Sequence, residues 1–275
     1  MSAHRVDVGG IELAIEERGV GTPVIVLHGF TGCRESMAGV VDALAPRFRT
    51  IAVDLVGHGD SERPRKIERY AMGDCVAQLA RLLDVLDIRA AGFVGYSMGG
   101  RTALCFATAY PDRVRSLVLI GASAGLVDPA ARAARIASDE ALADRIEREG
   151  LEAFVDAWMA LPLFASQKRL GDEALAQARA QRLRNAPHAL ANSLRGMGSG
   201  AQAPQQSELA RILAPVCLAV GQEDAKFDEI ARDLAERLPA ATIERIADAG
   251  HAAHLENPAS FAALATRFLA QEPES

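Results

Sequence analysis

The sequence predicts an α/β protein, with a mostly parallel central sheet flanked by helices and a helical cap inserted late in the chain. Three observations lead there. Short continuous apolar runs alternate with segments of helical periodicity, and strands that are apolar on both faces and separated by helices belong to parallel sheets. The alternation stops near residue 123 and resumes near 215. One apolar run ends in Gly95-Tyr96-Ser97-Met98-Gly99, a serine set between glycines just before a helical segment begins.

Taken in order, residues 4–18 read as a hairpin turning at Gly9-Gly10, two alternating runs joined by the residues that accept a tight turn. PVIVLHG follows as the first buried strand, helical spacing runs through 35–46, and RTIAVD (49–54) is the next strand. A helix is expected over 71–86, a strand in AAGFVGY ending at 96, a helix from about 98, and a strand in RSLVLIG (115–121). Segments 129–148, 150–160, 172–185 and 187–197 then carry helical spacing, punctuated by Pro162, Gly171 and Pro187. The stretch AQAPQQS (201–207) reads as the loop back. Strand PVCLAVG (215–221), a helix near 227–238, strand ATIERIA and a helix over 258–270 complete the pattern. The sheet domain is therefore expected in 1–122 and 208–275, with 123–207 as the cap over the C-terminal edge of the strands.

Composition narrows the function. The 275 residues are 49% apolar and 24% charged with net charge −6, and no basic run tracks phosphates or a membrane surface, so nucleic acid and membrane are not expected partners. No apolar run approaches the roughly 20 residues of a membrane span, and the N-terminal stretch MSAHRVDVGG lacks the apolar core of a signal peptide. A cytoplasmic protein is expected. Cys33, Cys75, Cys105 and Cys217 form no C-x-x-C pair, and Cys105 and Cys217 lie in apolar runs as small core residues, so neither a metal nor a disulfide is expected. The sequence leaves the oligomeric state open.

The chemistry centres on Ser97. G-x-S-x-G between a buried strand and a helix start is the setting of a nucleophile elbow, where the turn is too tight for side chains two residues either side of the serine. A serine nucleophile needs a base and a group that orients the base. His251, in the turn after the last strand, and Asp224, in GQED after PVCLAV, both follow strand C-termini, the edge where open α/β sheets build their sites. Glu223 and Asp228 are rivals for the acid, and His254 for the base. The Met98 N–H in the first helical turn and the Phe30 N–H in LHGFTG, with Thr31 beside it, are candidate oxyanion donors. His28, His58 and His254 read as structural, and HAAH is too slight a pattern for a metal site.

Together LHGFTG, DLVGHGDS, GYSMGG, the GQED turn and AGH–ENP resemble the α/β-hydrolase superfamily over essentially the whole chain. GYSMGGR, GASAGL, AARAARIASD, FVDAWMALPLF, SLRGMGSG, DAKF and AGHAAHLENP are similar, more narrowly, to the 2-succinyl-6-hydroxy-2,4-cyclohexadiene-1-carboxylate synthases of menaquinone biosynthesis. Ala124 departs from the proline expected there. That resemblance implies an enzyme without metal or organic cofactor that eliminates pyruvate from a small anionic substrate, 2-succinyl-5-enolpyruvyl-6-hydroxy-3-cyclohexene-1-carboxylate. It also implies Ser97, Asp224 and His251 as catalytic residues and Tyr96, Arg101, Arg135, Trp158 and Arg182 at the substrate. Arginines suit a substrate with three carboxylates, because the guanidinium stays charged and grips a carboxylate with two donors. All three arginines are expected to point at the volume above Ser97. A serine hydrolase acting on an ester, lactone or C–C bond, or a non-catalytic binding protein of the same fold, uses the same residues and stays open at this point.

Overall fold

In the computed structural model, which describes residues 2–271, the two-sided burial expected of the apolar runs is realised strand by strand. Strands β1 (Ser2–Asp7) and β2 (Glu12–Arg18) pair antiparallel as the hairpin, with Asp7 opposite Glu12. The Asp7 carboxylate accepts the N–H groups of Gly9 and Gly10, whose φ angles of 89° and 81° only glycine adopts without strain. Then come β3 (Pro23–Leu27), α1 (Ala38–Leu44), β4 (Arg49–Val53), α2 (Met72–Val85), β5 (Ala91–Tyr96), α3 (Met98–Ala109) and β6 (Val114–Ile120). Helices α4 (Pro129–Glu149), α5 (Leu151–Met159), α6 (Asp172–Leu183) and α7 (Pro187–Met197) intervene before β7 (Val216–Gly221), α8 (Ala225–Arg237), β8 (Ala241–Ile246), α9 (Ala253–Glu256) and α10 (Pro258–Leu269).

The eight strands form one sheet in the order β1-β2-β4-β3-β5-β6-β7-β8, parallel from β4 to β8. Alternate side chains supply its two faces. Ile25, Leu27, Phe93, Leu117 and Leu119 join the core on one face with α2, α3 and α8; Val24, Val26, Val94, Val118 and Ile120 join the core on the other with α1 and α10. Both faces are covered, so the strands read as continuous apolar runs instead of alternating ones. A third apolar cluster ties the inserted helices together: Ile146 of α4, Phe154 and Val155 of α5, and Leu190 and Leu194 of α7.

Departures from the expected elements are local. The helix expected over 35–46 opens with a 3-10 turn, Arg34–Met37, before α1. The segment between Pro162 and Gly171, read only as punctuation, is a 3-10 helix, Pro162–Leu170. Short α9 follows His251 because the Glu256 carboxylate accepts the N–H groups of Gly250 (2.9 Å) and Ala252 (3.1 Å), folding the chain back on itself. The four cysteines are free and buried. Among the described residues no helix is long and apolar enough to cross a membrane.

Candidate active site

Ser97 joins the central strand β5 to α3 with φ 49° and ψ −105°, a conformation non-glycine residues rarely adopt. Such a residue costs on the order of 1–3 kcal/mol and persists only where its surroundings over-determine it. Here they do. The Ser97 N–H donates to Ile120 O at 2.7 Å and the Arg101 N–H to Ser97 O at 2.9 Å, pinning both ends of the turn. A Cβ on Gly95 would sit 2.6 Å from Gly99 O, and one on Gly99 2.5 Å from Leu27 O, so the backbones meet only because both residues are glycine.

Asp224 and His251 reach the serine from beyond the C-terminal ends of β7 and β8, on the far side of β6 in the sheet. His251 Nδ1 lies 2.8 Å from Asp224 Oδ2, and His251 Nε2 lies 3.2 Å from Ser97 Oγ. A carboxylate only accepts, so the histidine proton sits on Nδ1 and Nε2 is left to accept from the serine hydroxyl. Asp224 is itself fixed, its other oxygen accepting the Phe227 N–H at the start of α8. Gly121, at φ 55°, clears room for the imidazole: a Cβ there would lie 2.6 Å from His251 Cε1. Rings close the remaining sides, with Phe227 at 4.4 Å and Tyr96 at 5.4 Å from the His251 ring. Of the rivals, Glu223 pairs outward with Arg169 at 2.8 Å and Asp228 with Arg232 and Arg245. Buried His254 stacks on Tyr96 at 4.5 Å, and desolvation lowers its pKa to about 3.

The Gly32 N–H donates to Gly29 O at 3.0 Å, closing a turn whose first central residue is Phe30. Among the described residues the Phe30 N–H has no hydrogen-bond partner, and the Met98 N–H, first in α3, is one of the donors a helix start leaves unpaired. The structural histidines brace the same region. His28 Nε2 accepts the Leu55 N–H at 3.0 Å while Nδ1 faces Gly29 O at 2.8 Å, and burial holds its pKa down.

Over the serine lies a cavity of about 750 Å³ whose wall includes Phe30, Tyr96, Met98, Arg101, Arg135 and Trp158 together with Ser97 and His251. Trp158 meets the Phe30 ring edge-on at 5.2 Å. Arg101 donates to Gln202 Oε1 at 2.7 Å and to Met197 O at 2.9 Å. It makes no ion pair among the described residues, and desolvation lowers its pKa to about 10, still charged at neutral pH. Arg135 pairs with the nearly buried Asp139 at 2.8 Å.

Arg182 is placed elsewhere. It lines a separate cavity of about 240 Å³ behind Phe30 and Tyr96, bonded through NH1 to Ala178 O at 2.9 Å one turn back along α6. The arginines therefore do not converge as expected: two share the serine's cavity and the third stands across an aromatic wall. Sequence reasoning also passed over Gln202, Asp139, Glu256 and Asn185. Of these, only Asp139 carried a readable signal, its i,i+4 spacing from Arg135. The others act across more than sixty residues or through backbone N–H groups, which no local pattern records.

Comparison with known proteins shows the fold and the family. Residues 22–258 match the alpha/beta hydrolase fold. A Bacillus subtilis protein, provisionally named a 2-succinyl-6-hydroxy-2,4-cyclohexadiene-1-carboxylate synthase, is 41% identical over 94% of this chain and 95% of its own. The synthase of that name from Klebsiella pneumoniae is 35% identical over 94% of this chain and 99% of its own. Among solved structures, MenH from S. aureus superposes with a TM-score of 0.89 at 31% identity, covering 94% of this chain and 97% of that one. The chain belongs to the alpha/beta hydrolase fold family and, within it, to the 2-succinyl-6-hydroxy-2,4-cyclohexadiene-1-carboxylate synthases.

Proposed function

We propose that this protein eliminates pyruvate from 2-succinyl-5-enolpyruvyl-6-hydroxy-3-cyclohexene-1-carboxylate, giving 2-succinyl-6-hydroxy-2,4-cyclohexadiene-1-carboxylate. One observation carries the reading beyond family membership. Arg101 presents a half-buried guanidinium to the serine's own cavity, and among the described residues it is hydrogen-bonded by neutral partners alone, Gln202 and the Met197 carbonyl. A cation partly withdrawn from water without a counter-ion is costly, and an anionic substrate supplies the missing charge. Arg135 adds a second cation on the same wall.

The mechanism uses the serine as a base. His251, oriented by Asp224, takes the Ser97 hydroxyl proton, and the Ser97 oxygen removes the ring proton α to the succinyl carbonyl. The enolate oxygen that forms is held by the Phe30 and Met98 N–H groups. Its electrons move through the ring double bond and the C–O bond to the enolpyruvyl group breaks, leaving a ring diene and the enolate of pyruvate, which takes up a proton. Arg101 and Arg135 hold carboxylates so that the acidic C–H faces Ser97, and such placement lowers a barrier by several kcal/mol.

The experiment follows pyruvate release from the cyclohexene substrate with a coupled dehydrogenase. Pyruvate formed in step with loss of substrate is expected. Absence of pyruvate, alongside rapid turnover of aryl esters through Ser97, would assign the same residues to a hydrolase.

A further inference from the structure

The turn carrying the Phe30 N–H is strained in a way the core domain does not itself explain. Closing Gly29 O to the Gly32 N–H puts Thr31 in the third position of the turn, where its φ of 68° demands the left-handed region. Glycine is the usual residue there, and a β-branched side chain resists it. Thr31 is fully buried and its hydroxyl has no hydrogen-bond partner among the described residues, so its side chain holds the turn by no hydrogen bond of its own.

The one hydrogen bond reaching Thr31 among the described residues comes from the inserted helices. Asn185, in the α6–α7 junction and only 7% exposed, donates through Nδ2 to Thr31 O at 2.9 Å and to Arg182 O at 3.0 Å. Its Oδ1 accepts the Gly59 N–H at 3.3 Å. These partners settle which end of the amide is which: two carbonyls require the NH₂ group, and an N–H requires the oxygen. Asn185 thus spans the loop after β3, the loop after β4 and the C-terminus of α6. The neighbouring pairs of Arg184 with Glu35 (3.2 Å) and Asp60 (3.5 Å) link the same loops at the surface, where ion pairs contribute little.

We propose that Asn185 is a positioning residue for the oxyanion donor: its amide holds Thr31 at positive φ and so aims the Phe30 N–H at the reacting oxygen. Without the bond, Thr31 relaxes toward negative φ, and the turn closed by Gly29 O and the Gly32 N–H readjusts at Phe30, shifting the direction of its N–H. Asn185 touches neither substrate nor Ser97. It acts through the turn, which makes the readiness of the oxyanion site depend on how the α6–α7 junction is docked. The proposal rests on Ser97 being the reactive group, and on Phe30 as a donor, but not on the identity of the substrate.

The test is the rate at which a fluorophosphonate phosphonylates Ser97 in the full-length protein, followed by mass spectrometry of the adduct. That reaction develops negative charge on the phosphoryl oxygen and is independent of pyruvate chemistry. For Asn185→Ala the labelling rate is expected to fall about tenfold, since a donor displaced by a fraction of an ångström forfeits part of its stabilisation. Pyruvate release should show the same loss in kcat with KM within about twofold, as an interaction made in the transition state requires. Combining it with Thr31→Gly should restore most of both, because glycine adopts φ near 68° unaided. If Asn185→Ala does not fold, Asn185→Asp keeps the volume and the acceptor for Gly59 and lacks the NH₂ donors, and the same loss and rescue are expected. An unchanged labelling rate in a folded variant overturns the proposal, as does a loss that Thr31→Gly fails to repair. Wild-type protein that labels at Ser97 but releases no pyruvate would count against the proposed function and leave this test intact.

Discussion

The serine turn and the inserted helices hold their functional side chains by different means. In residues 95–99 the position of Ser97 is a property of the backbone: a left-handed φ of 49°, two pinning hydrogen bonds, and glycines where any Cβ would strike a carbonyl. In α4 to α7 the positions of Arg135, Trp158 and Arg182 are properties of side chains. Arg135 leans on Asp139, Trp158 on the Phe30 ring, and Arg182 on a carbonyl of its own helix. A backbone device tolerates almost no variation, whereas a side-chain device can be retuned by single substitutions. The first region suits chemistry that is always the same, and the second suits recognition.

Four experiments would break or sharpen that contrast. Ser97→Ala should reduce kcat for pyruvate release by on the order of 10³-fold or more while the protein melts as wild type, since it removes the proposed base and leaves the turn. A residual rate within tenfold of wild type would move the proton abstraction elsewhere. Arg101→Gln should cost about 2–3 kcal/mol of kcat/KM, some thirtyfold or more, through loss of a charge-assisted contact. Added Arg135→Gln should cost more, and insensitivity of both variants to substrate would detach the cavity from anion recognition.

Stability should also depend on pH through two buried histidines, His58 and His254. Desolvation lowers the pKa of His58 and of His254 to about 3 in the folded protein, against about 6.5 unfolded. Their contribution is complete above pH 6.5 and is lost as pH falls toward 3, because in that window only the unfolded chain binds the proton. Urea stability should therefore decline below pH 6.5, by up to about 1.4 kcal/mol per pH unit for each histidine. His254→Gln should flatten that slope; an unchanged slope would mean that His254 is not buried neutral. The smallest effect is expected for Arg182→Gln, a change of a few-fold in KM, because its guanidinium lies behind Phe30 and Tyr96 and not in the serine's cavity. An effect as large as that of Arg101 would show that the aromatic wall opens when substrate binds.

Much of the core domain was legible because its rules are local. Buried parallel strands announce themselves as apolar runs, and a serine between glycines at a strand end leaves few alternatives. Asp224 and His251 could be placed because each follows a strand terminus, and the rivals Glu223 and Asp228 are separated from them only by which way one turn faces. The inserted helices were legible as helices and much less so as a site. Arg182 was expected beside Arg101 and Arg135, yet helical periodicity tells which residues share a helix face and not which cavity that face looks into. Gln202 and Asn185 carried no signal at all, since a single polar residue in a loop looks the same whether it is solvated or buried against a partner far along the chain.

What the sequence determined by itself was the alternation that builds the sheet, the sharp turn at Ser97, and the family whose motifs it carries. Each follows from interactions over a few residues: burial on both faces of a strand, or the absence of a Cβ. The tertiary structure alone decided that Arg101 has no ion-pair partner among the described residues, that Arg182 stands across an aromatic wall from it, and that Asn185 hydrogen-bonds to Thr31 O. Those outcomes depend on where two distant segments meet in space, and a meeting of that kind leaves no trace in local spacing.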